Sequence, residues 1–226
     1  IVAGGLLGLL FKNLLTKSME DTLLKASSVC VLFIGIGGAM SQMLKITDGA
    51  LITSGSMMLI ICFVLGGLVG ELLNIEGAFE RFGAWLRKKT HNESDSGFLS
   101  GFIHASLTVC IGAMAIVGSI QDGLLGDASL LCAKAALDAV IILVMTASMG
   151  KGCIFSAIPV AILQGSVTLL SRVIAPVMTD AAIASLSFTG SVMIFCVGVN
   201  LIWGKTIKVA NLLPTLVFAV VYTFLF

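Results

Sequence analysis

Asp138 stands at the midpoint of an otherwise apolar run, Ala128 to Met149, with Lys134 one helical turn before it. A carboxylate at the centre of a membrane helix costs roughly 2.5–3.5 kcal/mol on insertion scales, so it faces a partner or a water-filled cavity rather than lipid. Such a group can bind a cation or carry a proton. Lys134 is the nearest candidate partner and would tune the acid, although it lies closer to the outer surface and its long side chain could snorkel there. Lys151-Gly152 is a tight connection that should fold the flanking runs into an antiparallel hairpin, which allows depth to be counted. Asp138 lies thirteen residues before Lys151 and Gln164 thirteen after it, so at about 1.5 Å per residue both lie about 20 Å from the turn. Gln164 could then coordinate or orient a ligand beside the acid. Gly165 and Ser166 follow it, a break in bulk that lets a ligand or water approach the backbone, and Pro159 removes one hydrogen bond and favours a kink. The competing reading is structural: an interhelical hydrogen bond, with Lys134 simply neutralising Asp138.

His104 and Thr108 are one turn apart and face the same way. His104 could join a proton relay, because its ordinary pKa is close to neutral; plain hydrogen bonding of a histidine one turn inside a helix end is the simpler alternative. Asn211 reads as a cap for the final helix and Asp127, just before Ala128, as another N-cap. Asp122 and Asp127 could also draw cations to an outer entrance. Ser148 with His104 makes a poor protease dyad, since no nucleophile motif surrounds the serine, and an enzyme is not expected. His91 and His104 form no zinc pattern with acids or cysteines. The six cysteines are scattered singly through apolar runs with no C-x-x-C pair, and read as packing residues. No metal or other cofactor is expected.

The elements that must position these groups are membrane helices. The 226 residues are 58% hydrophobic and 11% charged, against about 25% charged in an ordinary soluble domain, and mean hydropathy is +1.12. A span needs about 20 mainly apolar residues, and the chain divides into about eight such stretches: Ile1–Phe11, Ala26–Leu44, Leu51–Gly70, Phe98–Ser119, Ala128–Met149, Cys153–Ala175, Leu186–Trp203 and Val209–Phe226. This is an all-α, multi-pass membrane protein with one domain, 1–226. The first stretch would rise only about 16 Å, and the chain starts at Ile1 without a methionine, so further residues are expected ahead of it; a cleaved signal peptide is the other option. Net charge is only +1, so no basic field argues for nucleic acid. With eight spans, Lys12, Lys17, Lys25, Arg81, Arg87, Lys88, Lys89, Lys151, Lys205 and Lys208 fall in alternate breaks, with Lys45 and Arg172 at the opposite ends. By the positive-inside rule the lysine-rich breaks are cytoplasmic and both chain ends face outward.

Between about residues 71 and 90 the pattern is amphipathic: Leu72, Ile75, Phe79, Phe82 and Leu86 share a face, with Arg81, Arg87, Lys88 and Lys89 at the polar edge and end. This predicts a helix lying flat on the cytoplasmic membrane surface, followed by a solvated linker, His91 to Ser96. A weaker pattern through Phe11, Leu14, Leu15, Met19 and Leu23 predicts another interfacial helix or a helical extension. Glycines four apart (Gly4/Gly8, Gly66/Gly70, Gly97/Gly101), with Ala157, Ala161 and Gly165, permit close helix contact and would allow a homo-oligomer without requiring one. A short motif recurs as Phe33-Ile34-Gly35-Ile36, Cys110-Ile111-Gly112-Ala113 and Cys196-Val197-Gly198-Val199; the third copy is inverted in the expected topology, as repeats are in many secondary transporters.

The stretch from Cys110 through Gly118-Ser119-Ile120-Gln121-Asp122-Gly123, with Ser156-Ala157-Ile158-Pro159-Val160, Gln164-Gly165-Ser166 and Asn211-Leu212-Leu213-Pro214, resembles the YdfK/YqgA-like family of bacterial inner-membrane proteins. The resemblance covers nearly the whole chain and implies a one-domain, multi-pass protein of the bacterial inner membrane. It supplies no activity, because the family is itself one of unknown function. Its members usually begin with a longer first span, which also points to residues ahead of Ile1. The residues themselves favour a small secondary transporter or ion pathway, coupled to H+ or Na+ through Asp138, with Gln164, Lys134, His104, Thr108 and Ser166 as candidate partners around a small solute or cation. The rival is a structural or signalling membrane component with a dry bundle.

Overall fold

The computed structural model describes residues 1–12, 16–47, 50–92, 97–110 and 113–225. Within them the chain is almost wholly helical: α1 Val2–Lys12, α2 Lys17–Met43, α3 Ser56–Leu73, α4 Ile75–Lys89, α5 Phe98–Cys110, α6 Ala113–Leu125, α7 Ser129–Met149, α8 Ala157–Leu169, α9 Ser171–Ile174, α10 Asp180–Trp203 and α11 Pro214–Leu225. Short 3-10 turns at Lys151–Ser156, Ala175–Val177 and Val209–Leu212 link some of them. Five helices among the described residues are long and apolar enough to cross a membrane: Leu24–Met43, Ser56–Leu73, Ser129–Met149, Lys151–Leu169 and Asp180–Trp203. A sixth span arises if α5 and α6, bent by 60° at the break between them, count as one. The expected first and last spans correspond to shorter apolar helices, Val2–Lys12 and Val209–Leu225. Among the described residues, helix length and composition thus account for five or six spans of the expected eight.

Two expected span ends are not helical at all. Leu44–Thr47 and Ala50–Thr53 form an antiparallel hairpin, β1 and β2, pairing Leu44 with Thr53 and Thr47 with Ala50. β-branched residues at Ile46, Thr47, Ile52 and Thr53 suit a strand better than a helix. Asp48 lies outside the described residues. The amphipathic pattern around Met19 proves to be the first turns of α2, begun by Thr16, whose hydroxyl accepts from the Met19 amide. Asp21 and Lys25 pair there at 2.6 Å, as their four-residue spacing predicts. Leu14 and Leu15 lie outside the described residues, as do Glu93 to Ser96 of the expected linker.

The stretch from 71 to 90 is also arranged differently. Asn74, in the left-handed region at φ 49°, ends α3 and starts α4. Leu72 thus belongs to α3 and is 86% exposed, whereas Leu86 of α4 is buried and Ile75, Phe79 and Phe82 pack against the central core. The apolar face of α4 packs on the bundle, with Trp85 beside it exposed. α5 lies deepest, with nine of its thirteen residues buried; of its polar side chains Thr108 donates within the helix, whereas Ser106 Oγ and His104 Nδ1 have no hydrogen-bond partner. Phe98, Phe102, Ile142, Met145, Met193 and Val197 fill the core around it.

The glycine pairs act as intramolecular contacts. A Cβ on Gly4 would meet the backbone of Ala139, and one on Gly8 the carbonyl of Leu143, so the two glycines let α1 lie directly on α7. Gly66 and Gly70 do the same for α3 against Thr215 and the Asn211 carbonyl. Gly165 has nothing within 4 Å, so the expected small-residue contact ending there is not made. Gly70→Val should consequently reduce the folded, monodisperse fraction severalfold on size-exclusion chromatography, while Gly165→Ala should leave it unchanged; equal behaviour of the two would refute the contact. Of the recurring motif, Gly35 of the first copy touches Phe195 and Gly198 of the third touches Leu32, both across the α2–α10 interface. In the second copy Ile111 and Gly112 lie outside the described residues.

Four of the lysine-bearing breaks meet at one end of the bundle. Lys205 and Lys208 reach Glu71, Glu76 and Glu80, Gly152 abuts the Phe98 carbonyl, and Leu24, next to Lys25, lines a cavity with Met149 and Lys205.

Candidate functional site

Asp138 and Lys134 are both buried, at 7% and 6% exposure. Spaced four apart on α7, they lie on one helix face, and the Lys134 ammonium pairs directly with Asp138 Oδ2. Lys134 does not snorkel to the surface; it also donates to the Val109 carbonyl at 2.9 Å. That carbonyl lies in the last turn of α5, ahead of the 60° bend to α6, where the final carbonyls of a helix have no intrahelical donor. The negative end of the α5 dipole and the Asp138 carboxylate therefore both favour the ammonium. Burial of two charges is tolerable here because each meets an opposite charge or a dipole.

Beside the pair is a cavity of about 330 Å³. α7 contributes Leu131, Lys134, Ala135 and Asp138 to its wall, α8 contributes Ala157, Val160, Ala161 and Gln164, and α1 contributes Ile1 and Val2. Asp138 and Gln164, equidistant in sequence from Lys151, thus share one cavity. Seven of the ten wall residues are aliphatic or alanine, so the polar groups stand in an otherwise apolar chamber. Pro159 introduces no break in α8: it falls in the first turn, following the 3-10 turn Lys151–Ser156, where its missing N–H costs no helical bond.

Ser166 is not part of this chamber. It lines a separate, almost wholly apolar groove of about 450 Å³ with Cys110, Pro159 and Phe79, and its hydroxyl donates to the Leu163 carbonyl. His104 and Thr108 are likewise elsewhere. The Thr108 hydroxyl donates to the His104 carbonyl at 2.8 Å, which uses it within α5. His104 is 8% exposed and its Nδ1 has no hydrogen-bond partner, contrary to the plain hydrogen bond expected for it. Ser148 donates to its own helix at Val144 and Met145. Asp127 Oδ1 accepts from the Ser129 amide at 2.9 Å, at the start of α7, and hydrogen bonding from the Ser129 side chain first, and from this amide second, holds its carboxyl below the usual range.

Sequence reasoning uses Lys205 and Lys208 as break residues that mark sidedness and gives Glu71, Glu76 and Glu80 no role. The fold makes them a network instead. Lys205 meets Glu76 Oε1 at 3.2 Å and also pairs with Glu80; Lys208 meets Glu71 at 2.5 Å. Burial would lower the Lys205 pKa, but the hydrogen bonds to Glu80 and Glu76 outweigh it and raise the group above its ordinary value. The Lys205 contribution to stability is accordingly present below the usual lysine range, as long as its glutamate partners stay ionised, and is lost as pH climbs through the raised value. Asn211 does not cap the final helix. Its Oδ1 accepts from the Glu76 amide at 2.7 Å and its Nδ2 donates to Glu71 at 2.6 Å, so it caps α4 from the other end of the chain. Glu76 Oε2 in turn accepts from the Ala210 amide at 3.0 Å. Asn200 secures the neighbouring turn by accepting from the amides of Thr206 and Ile207. Glutamates four apart at 76 and 80 were the available signal, but nothing local pairs them with Lys205.

A family described as a protein of unknown function, DUF554, matches residues 1–224. The chain belongs to the DUF554 family. Among its relatives is the uncharacterised membrane protein YdfK of Bacillus subtilis (strain 168), 27% identical over 224 residues, covering 99% of this chain and 92% of that protein. The uncharacterised protein YqgA of Escherichia coli (strain K12) is 25% identical over 226 residues, covering 97% and 90%. No solved structure matches the chain. With a DUF554 relative named as a membrane protein and five apolar helices of spanning length, this is a membrane protein whose helices contact the bilayer.

Proposed function

We propose that the protein is a small secondary transporter or ion pathway of the bacterial inner membrane, with its site in the chamber between α7 and α8. The observation that carries this reading is the Lys134–Asp138 pair at the carbonyl end of the broken α5–α6 element, beside a cavity that Gln164 also lines. Interrupted helices whose ends meet a buried charge near the middle of the bundle are how many transporters hold ions. Asp138 needs a cation at all times, because an uncompensated carboxylate in that setting is too costly. H+ or Na+ arriving through the chamber can compete with Lys134 for the Asp138 carboxylate, at the energetic cost of leaving the ammonium with the Val109 carbonyl alone. Gln164 offers an amide oxygen and an NH2 group to whatever enters. No catalytic step is assigned.

One observation favours the rival, a non-transporting structural or signalling component: the pair is closed on a single helix and satisfies itself without a ligand. The two readings separate in proteoliposomes holding the full chain. Under imposed sodium or pH gradients, uptake of 22Na+, pyranine-reported proton flux and uptake of a panel of labelled small solutes are measured against empty liposomes. Flux above background that loses its sodium or pH dependence in Asp138→Asn supports transport. Absence of any flux, or an Asp138→Asn variant with the same ion dependence as the parent, overturns it.

A further inference from the structure

At the end of the bundle where the lysine-bearing breaks meet, a second cavity of about 350 Å³ opens between α4, α5 and the turn after α10. Its mouth carries Glu80 and Lys205, both partly exposed, with Glu76 buried behind them. Its depth is apolar, walled by Ile103, Leu107 and Leu201, all buried, with Leu99 and Met149. His104 also lines it, more than nine-tenths buried, with Nδ1 unpartnered. Nδ1 itself is shielded from the cavity, so an incoming group would reach it only once the ring turns, and bonding there would relieve an unpartnered buried nitrogen. Two carboxylates and one ammonium leave the polar end with a net negative charge.

We propose that this cavity binds a small primary amine with an apolar body, and that Lys205 is a tethered ammonium occupying the amine's place. The charge balance selects a cation over an anion. The apolar depth selects an organic cation over a hard metal ion, which would need six or more oxygens; no group of three or more His, Cys, Asp or Glu suited to a metal occurs among the described residues. The volume is within the range of small-molecule sites. An entering ammonium would take the Glu76 and Glu80 carboxylates from Lys205 and displace it toward solvent, where it is already half exposed. The hydrocarbon body would cover Ile103 and Leu107, and the His104 imidazole would accept an N–H.

The test is equilibrium dialysis of labelled phenethylammonium against the full chain in nanodiscs, with empty nanodiscs subtracted and folding of every variant checked by size exclusion. Lys205→Met removes the competitor and should tighten binding at least tenfold. Glu80→Gln, at a partly exposed position, should weaken it severalfold, and His104→Leu should weaken it also. 3-Phenylpropionate, of the same size and opposite charge, should not bind. Phenethylammonium affinity that is unmoved or weakened by Lys205→Met, equal binding of 3-phenylpropionate, or no binding to either the parent or Lys205→Met overturns the proposal. None of these readouts requires transport, so they stand or fall apart from the role of Asp138.

Discussion

Asp138→Leu in a chain that keeps Lys134 is expected to destabilise the protein by about 3–5 kcal/mol, the range for removing one member of a buried ion pair. The reason is the survivor. Lys134 would remain at the same depth with only the Val109 carbonyl as partner, and a single neutral dipole does not offset a buried ammonium. The double variant Lys134→Met/Asp138→Leu should recover most of the loss, because two apolar side chains of similar bulk fill the space without leaving a charge behind. Unfolding in mixed detergent–SDS micelles measures both, and the strong non-additivity is the diagnostic quantity. A single variant within about 0.5 kcal/mol of the parent would mean that water reaches the pair freely. A folded double variant would also be a clean control for ion flux, since it has no titratable group in the chamber.

Asn211→Ala is expected to cost about 2–3 kcal/mol, combining a lost helix cap with a buried amide left without its acceptor. The side chain serves two elements at once, the α4 amide at Glu76 and the Glu71 carboxylate. Asn211→Ser should fall between the two, keeping an oxygen but losing the NH2 donor. Thermal unfolding followed by circular dichroism provides the number. Because Glu76 is held between Asn211 and the Ala210 amide, phenethylammonium binding should weaken in Asn211→Ala as well. A loss near zero would show that the start of α4 is satisfied without Asn211.

Local features were legible along the chain. Membrane character, the positions of most apolar helices and the placing of Asp138 and Lys134 on one helix face all follow from composition and from the 3.6-residue period, which puts residues four apart on one face. Depth counting from Lys151 brought Gln164 to the Asp138 chamber, since a tight turn fixes the register of two antiparallel helices. Errors arose where competing local structures were close in energy or where a distant element intervened. Leu44 and Leu51 are apolar enough for a span, yet their β-branched neighbours fold into a hairpin. α4 carries an amphipathic face suited to a membrane surface, but the bundle offers it Phe102 and Leu99.

What the sequence by itself determined is the membrane setting and the placing of Asp138 and Lys134 on one helix face, because both depend on side-chain chemistry and spacing within single helices. The tertiary structure alone decided what surrounds them. It put the last turn of α5 against Lys134, 25 residues away, brought Asn211 to Glu76 across 135 residues, and left His104 facing a cavity instead of a partner. Such contacts have no local signature: they arise where helices far apart in the chain are packed together, and packing responds to the shape of the whole bundle.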